Sequence, residues 1–427
     1  MQSSVFQNKN FVLSILGALV SNIGAVFYSF VVGFWLLELT SNNAMIQGAY
    51  LGLCGVVYVI VTLFGGVLAD RFHKAKIMVI CDFAKGLLIL VTTLLIMIGK
   101  DNTASVVILF VCGVFSNVIS AIFSPAASSI YPLIVPEEQL QQANSYQTAL
   151  LTFQGIIGTF LAGVLYGVAS PYTIFFIVSG CYIASGVSEM FIRYEDVGTA
   201  SKLTVKESFR DIRDGAGYVF SSQTLSVFIL MILIINFFFS PISENFVPYL
   251  IKTDVASHAH IWMDTVSDEM WQSVFITAFS IGSVIFAVAI SCKDLSTHLT
   301  KNLKFTLSAL ALALVAETAS YYIFVEKGAG FNAFLIISTV LFFAVGGLIS
   351  MTNIPATTKL QTIVEKDKLG KVSSILNVGA MGLTPLSSFL AGIVLEYAGI
   401  FTLLTVCSVG MMIPLVLLFA SKAIRDF

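Results

Sequence analysis

The sequence predicts an all-α polytopic membrane protein, with twelve transmembrane helices in two six-helix halves. Three observations predict it. Hydrophobic residues fill 57% of the 427 positions and charged residues only 11%, against about 25% charged in an ordinary soluble chain; mean hydropathy is +0.93. The apolar residues gather into continuous runs long enough for the roughly 20 residues that cross a bilayer core. Lys and Arg fall almost wholly on one side of those runs. A water-soluble fold cannot hide so much apolar surface behind so few charges. A soluble enzyme, a disordered chain and a nucleic-acid binder are therefore excluded. The net charge of −2 leaves no basic face to neutralise phosphates.

The runs span 11–37, 45–69, 77–98, 104–129, 143–169 and 171–192, then 224–251, 270–291, 302–325, 331–354, 371–396 and 400–420. They are unbroken rather than alternating, unlike β-barrel strands. Gly is frequent throughout, as expected where helices pack backbone to backbone in lipid. The first run is too long for the apolar core of a cleavable leader and has no clear small-residue cleavage site, so it is expected to stay as the first span. The six Cys lie singly, in no CxxC or metal spacing, and predict no disulfide framework.

Charge sets the orientation. With the N-terminus inside, 18 Lys and Arg lie on inner segments and only Lys100, Lys252 and Lys327 on outer ones; Lys85 is read as sitting at a helix end. This bias predicts a multi-pass protein with both termini cytoplasmic and an even span count.

An internal repeat supports two halves. Phe160–Gly163 and Phe389–Gly392 both read FLAG, at an offset of 229. The same offset aligns Ile134, Val135 and Leu140 with Ile363, Val364 and Leu369 without a gap. The halves are expected at 1–192 and 224–427, in the parallel-repeat plan of many transporters. The inner segment 193–223 joins them. Thr204 and Glu207 have capping-box spacing, and Leu203, Phe209, Ile212, Ala216 and Val219 recur at helical intervals, so an amphipathic helix is expected there. A plain solvated tether fits its charges equally well.

Residues 66–76, between spans two and three, read GVLADRFHKAK. Gly66 permits close helix approach. Asp70 can cap span three or meet a cation. Arg71, Lys74 and Lys76 hold the loop inside. The spacing resembles the inner-loop signature of the major facilitator superfamily, G-x-x-x-D-R-x-x-R/K; His73 stands where that family usually has Gly. SNIG at 21–24, LTSNNA at 39–44, Asp82 and Lys85 at the start of span three, PAASSIYPLIVPEEQLQQAN at 125–144 and LQTIVEKDKLGKVSS at 360–374 are similar to the branch that contains macrolide-efflux and enterobactin-exporter proteins. The resemblance runs over essentially the whole chain. It implies the twelve-span fold, a bacterial-type inner membrane, secondary transport by alternating access, and an inner gate built around Gly66, Asp70, Arg71, Lys74, Lys76, Asp82 and Lys85. Span four has no Arg or Lys between Val106 and Ser129, and span five reads GIIGTFLAG without the Gly-Pro of antiporters. Both departures leave the proton-antiport mechanism of other branches unassigned here.

No nucleotide-binding loop G-x-x-x-x-G-K-[ST] occurs, so ATP cannot drive transport within this chain. Nor does HExxH, GxSxG or a paired catalytic Asp lie at span depth. The chain is read as no enzyme, with no cofactor.

Polar groups within lipid are costly and point to function. Glu317 lies 15 residues after Asn302, about 22 Å along a helix, deep in span nine. Glu244 lies in span seven within SPISENFVPY; Glu189 lies at the inner end of span six, where an interfacial position is expected. The resemblance implies that spans one, four, seven and ten line the central path and that three, six, nine and twelve support them. Glu244 is then the better cavity candidate and Glu317 the deeper charge. A carboxylate in a desolvated cavity can load and release a proton, so both are candidates for coupling or substrate contact. Each also has a plain alternative: a carboxyl hydrogen-bonded between helices for Glu317, a solvated rim charge for Glu244. Asn22, Asn117, Asn236 and Asn353 place one amide on each path helix. Phe27, Tyr28 and Phe237 to Phe239 can add aromatic surface, although most of the 36 Phe must face lipid or packing. The loop after span seven carries His258, His260, Asp264, Asp268 and Glu269. Such a cluster can ligate a metal, but a solvated loop is the expectation and no metal is assigned.

The expected partners are an amphipathic small-molecule substrate (drug, macrolide-like or siderophore-like), a proton or other ion, and the lipid bilayer, with the chain a monomer. The rival readings are a lipid or lysolipid translocator of the same fold and, in another class, a non-transporting membrane receptor or scaffold. The absence of a loop domain to receive a signal disfavours the last.

Overall fold

The computed structural model describes residues 5–99, 101–136, 139–193, 210, 213, 216–258, 267–291, 299–364 and 366–420. The described chain is helical almost throughout, and the reason is the solvent. A bilayer core offers no partners for backbone N–H and C=O groups, so each segment must satisfy its own.

Six helices come first: α1 (Lys9–Leu39), α2 (Ala44–Arg71), α3 (Lys74–Gly99), α4 (Asn102–Ser129), α5 (Leu140–Val168) and α6 (Pro171–Glu189), with a short turn at Tyr131–Ile134 before α5. Polar caps start several of them. Asn8 accepts from the backbone N–H of Asn10 at 3.0 Å and of Phe11 at 3.3 Å. Asp101 accepts from Ala104 at 3.1 Å. Ser170 accepts from Thr173 at 3.3 Å, with Pro171 placed where a missing N–H costs nothing.

The second series begins with α7, an α-helix over Gln223–Pro241 that continues through π-helical turns at Ile242–Phe246 and Ile251–Val255. Then come α8 (Met270–Ser291), α9 (Leu299–Ser320, extended by a π-helical turn at Tyr321–Glu326) and α10 (Phe331–Ile363). The stretch Lys366–Gly410 breaks at Gly399, whose φ of 77° only glycine adopts readily. It is therefore two helices, α11 (366–398) and α12 (400–410), the latter carried on by Met412–Ala420. Among the described residues ten helices are long and apolar enough to cross a membrane, with Phe153–Val168 a shorter apolar one. The last of the ten, Gly382–Ala420, contains the break and supplies two crossings. Twelve crossings follow, in step with the twelve apolar runs.

The chain divides into two compact units, Met1–Ser41 with Leu53–Ser208 and Asn42–Gly52 with Phe209–Phe427. In the first, α6 packs on α1 and α3, α3 on α4, and α1 on α5. In the second, α8 packs on α10, α9 on α10, and α7 on α11. The repeat is visible in burial. In both FLAG segments the Phe and Leu are exposed and the Ala and Gly buried. Val135 and Val364, 229 apart, are 4% and 3% exposed.

Close backbone contact explains part of the glycine usage. A Cβ on Gly282 of α8 would overlap the Phe343 carbonyl of α10, and one on Gly346 of α10 would overlap the Phe279 carbonyl of α8. In the first unit it is Gly65, not Gly66, that meets α4 at the Ala121 carbonyl; the space around Gly66 is open. The expected packing role of Gly66 thus falls to its neighbour, because successive helix residues point about 100° apart.

Most of the amphipathic segment expected over 203–219 lies outside the described residues. Its described end is helical at 216–221, and Val219 joins the core formed by α7, α9 and α10.

Candidate functional site

In the first unit, polar side chains line a cavity of about 300 Å³. Asn22 of α1, Tyr58 of α2, Asp82 and Lys85 of α3, and Ser120 of α4 all face it. Asp82 and Lys85 share one helix face because they are three residues apart. The Lys85 ammonium donates to the Ser120 hydroxyl at 2.6 Å and sits 4.7 Å from the Tyr182 ring centroid, a cation–π contact. Lys85 is therefore well inside α3 rather than at a helix end. Its long side chain carries the charge to polar company.

Asp82 is 3% exposed, and its Oδ2 has no hydrogen-bond partner among the described residues. Glu189 is 1% exposed, and neither of its carboxylate oxygens has such a partner. Glu189 thus ends α6, as its place in the sequence implies, and is buried in the protein there. Small residues draw the end of α6 inward. Ser185 donates to the Gly17 carbonyl at 3.0 Å and Ser188 to the Leu13 carbonyl at 3.0 Å. Gly17 leaves room for Glu189, whose Cγ would be 3.2 Å from a Cβ there. Asp82 and Glu189 are close enough to interact electrostatically. Glu189 also borders a groove of about 680 Å³ lined by His73, Lys76 and Arg193.

In the second unit, Glu244 lies in the first π-helical turn of α7. Ser388 of α11 donates to its Oε2 at 2.9 Å, and Asn245 donates to the Ser388 carbonyl at 3.1 Å. Glu244 is exposed while its neighbour Asn245 is fully buried. Glu317 is 3% exposed and accepts from Ser338 at 2.8 Å. That is the plain alternative, a carboxyl held between helices.

The four amides divide. Asn22 lines the first unit's cavity. Asn236 and Asn353 line a cavity of about 30 Å³ in the second unit, large enough for a water molecule. Asn117 and Asn236 donate to Gly113 and Ile232 of their own helices, each at 2.9 Å. The carbonyl oxygen is then the group each can offer.

The aromatic expectation is largely corrected to packing. Phe27 and Tyr28 are buried, and Tyr28 stacks on Phe175 at 5.5 Å. Phe239 stacks on Phe279 at 6.1 Å.

Of the inner-loop group, the side chains of Asp70 and Arg71 lie outside the described residues; the backbone places both at the end of α2. Lys74 opens α3, half-buried, and Lys76 beside it is exposed. In the loop after α7, His260 and Asp264 lie outside the described residues. His258 stacks on Phe331 at 4.7 Å and meets the Asp254 carbonyl through Nδ1 at 2.8 Å. Among the described residues no group of three or more His, Cys, Asp or Glu is arranged for a metal.

Sequence reading missed a polar network at the far end of α7. Lys252 pairs with Glu269 at 2.5 Å, and Tyr321 donates to Asp254 at 2.8 Å. Asn42 donates to the Lys252 carbonyl at 3.1 Å, and the N–H of Ala44 donates to Glu396 at 2.8 Å. Acidic residues at the ends of apolar runs are the one signal in the sequence that would have found them.

Comparison with known proteins agrees with this geometry. The sequence profile described as Major Facilitator Superfamily matches residues 13–386. An uncharacterized MFS-type transporter of Bacillus subtilis, YkuC, is 24% identical over 388 residues, covering 87% of this chain and 82% of that protein. Macrolide efflux protein A of Streptococcus pyogenes is 25% identical over 231 residues, 54% of this chain and 56% of that protein. Among solved structures, an inward-facing bacterial homologue of the iron transporter ferroportin superposes with a TM-score of 0.76 at 15% identity, covering 98% of this chain and 99% of that one. A D-xylose–proton symporter gives 0.70 at 11% identity, with 97% of each chain covered. At such identities these structures establish the fold alone. The twelve crossings, the repeated burial pattern and a family profile spanning most of the sequence together make this chain a membrane transporter, not an enzyme, belonging to the Major Facilitator Superfamily.

Proposed function

We propose that the protein exports an amphipathic, macrolide-like or siderophore-like small molecule across a bacterial inner membrane by alternating access. The observation that carries the direction and the substrate class is the alignment with macrolide efflux protein A over 231 residues. The fold supports the mechanism: polar side chains are held inside each unit at positions where lipid would make them costly. In this reading the halves are 1–192 and 224–427, joined by a cytoplasmic segment 193–223. Both termini are cytoplasmic, the inner gate is built around Asp70 and Arg71, and the protein works as a monomer. Glu244, exposed and oriented by Ser388, contacts substrate, with Asn22, Asn236 and Asn353 contributing amides. An ion gradient drives uphill export, because the chain has no nucleotide-binding loop.

The test is expression in a bacterial host stripped of its own drug exporters. Inhibitory concentrations are measured for erythromycin, a catecholate siderophore and unrelated antibiotics, beside uptake of a labelled lysolipid into inverted vesicles. Raised resistance to erythromycin or the siderophore, reversed by dissipating the proton gradient, is the expected result. Unchanged resistance with lysolipid movement identifies the lipid translocator instead.

A further inference from the structure

Two carboxyl groups and one ammonium are buried together in the first unit, and their charges do not cancel. Asp82 and Glu189 are 3% and 1% exposed. Three of their four oxygens, Asp82 Oδ2 and both of Glu189, lack a hydrogen-bond partner among the described residues. Lys85, the near cation, is committed to Ser120 at 2.6 Å. With all three ionised the cluster carries one net negative charge in a low-dielectric site, where an uncompensated charge is strongly disfavoured. One added proton makes it neutral.

The pair also joins two spaces. Asp82 lines the cavity of about 300 Å³, with Tyr58, Gln147 and Ser120 around it. Glu189 lines the groove of about 680 Å³ beside His73, Lys76 and Arg193. Each carboxyl of the pair thus borders a different space. Other titratable groups face the pair from the packed elements. They are Cys81 on α3, Tyr182 on α6, Cys112 near Lys85 on α4, and Tyr131 before α5. Towards Glu189, α1 presents Gly17.

We propose that Asp82 and Glu189 together hold one exchangeable proton and form the coupling site of the transporter, in the first unit rather than at Glu244 or Glu317. The step is proton transfer alone. An O–H bond breaks at one carboxyl and forms at the other, the oxygen lone pairs accept and release the proton, and no electron changes owner. The proton is taken up from one space and released to the other as access alternates. Lys85 is a positioning residue, whose charge limits the pair to one proton instead of two. The proposal rests on the transport reading above but not on the identity of the substrate.

Infrared titration of the purified full-length protein in lipid nanodiscs tests it without any substrate. Wild type is expected to show a protonated-carboxyl C=O absorption that is lost as the pH is raised. Glu189→Gln should abolish that titrating absorption, because the remaining Asp82 is then balanced by Lys85, and Asp82→Asn should displace it along the pH axis, because the neighbouring carboxyl that acts on Glu189 is gone. Glu317→Gln should leave it in place. Its survival in Glu189→Gln, an unmoved titration in Asp82→Asn, or its loss in Glu317→Gln overturns the proposal. Thermal melts confirm that each variant is folded, and two variants on different helices guard against one failing. A second arm uses proteoliposomes with an imposed pH gradient and labelled erythromycin. Glu189→Gln should lose gradient-driven accumulation and keep equilibrium exchange; accumulation at the wild-type level overturns the proposal. If wild type moves no erythromycin, the substrate reading fails, and the infrared arm alone decides the proton site.

Discussion

Ser338 on α10 donates its hydroxyl to Glu317 on α9 at 2.8 Å, and both side chains are buried. The hydrogen bond crosses between two helices of the second unit, which gives Glu317 a structural task. Glu317→Gln keeps an acceptor oxygen in the same place. It is expected to leave transport unchanged and to shift stability by less than about 1 kcal/mol. Glu317→Ala leaves Ser338 unpaired and should cost about 1–3 kcal/mol. Thermal melts of the purified variants with transport assays check both. Loss of transport in a stable Glu317→Gln protein would assign Glu317 to the cycle.

The crossing of α8 and α10 depends on Gly282 and Gly346, each facing a carbonyl of the other helix. Gly282→Val and Gly346→Val should each destabilise the protein by about 1–3 kcal/mol, since the helices must move apart to admit the side chain. Once one substitution has separated them, the second has less to displace. The double variant is therefore expected to lose less than the sum of the two. Equilibrium unfolding in mixed micelles measures all three. Wild-type stability in either single variant would contradict the close approach.

The fold was legible because lipid imposes a simple rule. Each run of about 20 apolar residues became a helix, and Gly399 marks the break between the last two runs. Helix ends were less legible. The helix α10 extends to Ile363, beyond the apolar run ending at 354, because polar residues continue a helix once it leaves the bilayer core. The sites were legible as residue types but not as neighbourhoods. The sequence placed Glu189 at the end of a span but did not reveal that it is buried. Its burial depends on Gly17, Ser185 and Ser188, which come from helices far apart in sequence. The same holds for Glu396, whose partner at Ala44 is 352 residues away.

Topology rests on the Lys and Arg bias of the inner segments. A single Cys placed at Ser201, in a background without the six native Cys, is expected to resist a membrane-impermeant maleimide in intact cells. It should react once the cells are opened. Ready labelling from outside would reverse the orientation of both halves.

Asp70 and Arg71 end α2 beside the half-buried Lys74 that opens α3. If Asp70 stabilises one closed arrangement of the inner gate, Asp70→Asn should lower the transport rate severalfold while expression and melting temperature stay at wild type. Stopped-flow dye efflux from vesicles measures that rate. A stable variant transporting at the wild-type rate would reduce the loop to a topology signal.

Glu244 and Glu189 predict opposite kinetic signatures. Glu244 is exposed in a π-helical turn and oriented by Ser388; such turns recur where a helix presents a functional side chain. Glu244→Gln keeps an oxygen for the Ser388 hydroxyl, so the local shape should persist. What is lost is the negative charge that would face the amine of a macrolide. An on-the-order-of tenfold rise in KM for erythromycin is expected, equivalent to about 1.4 kcal/mol, with an uncharged substrate unaffected. Glu189→Gln touches no substrate in this scheme. It should leave KM for exchange near wild type and remove the dependence of uptake on the pH gradient. Transport measured at several imposed gradients separates the two. If Glu244→Gln abolishes the gradient dependence and Glu189→Gln raises KM instead, the roles of the two units are reversed: the proton travels through α7, and the cavity beside α3 holds the substrate.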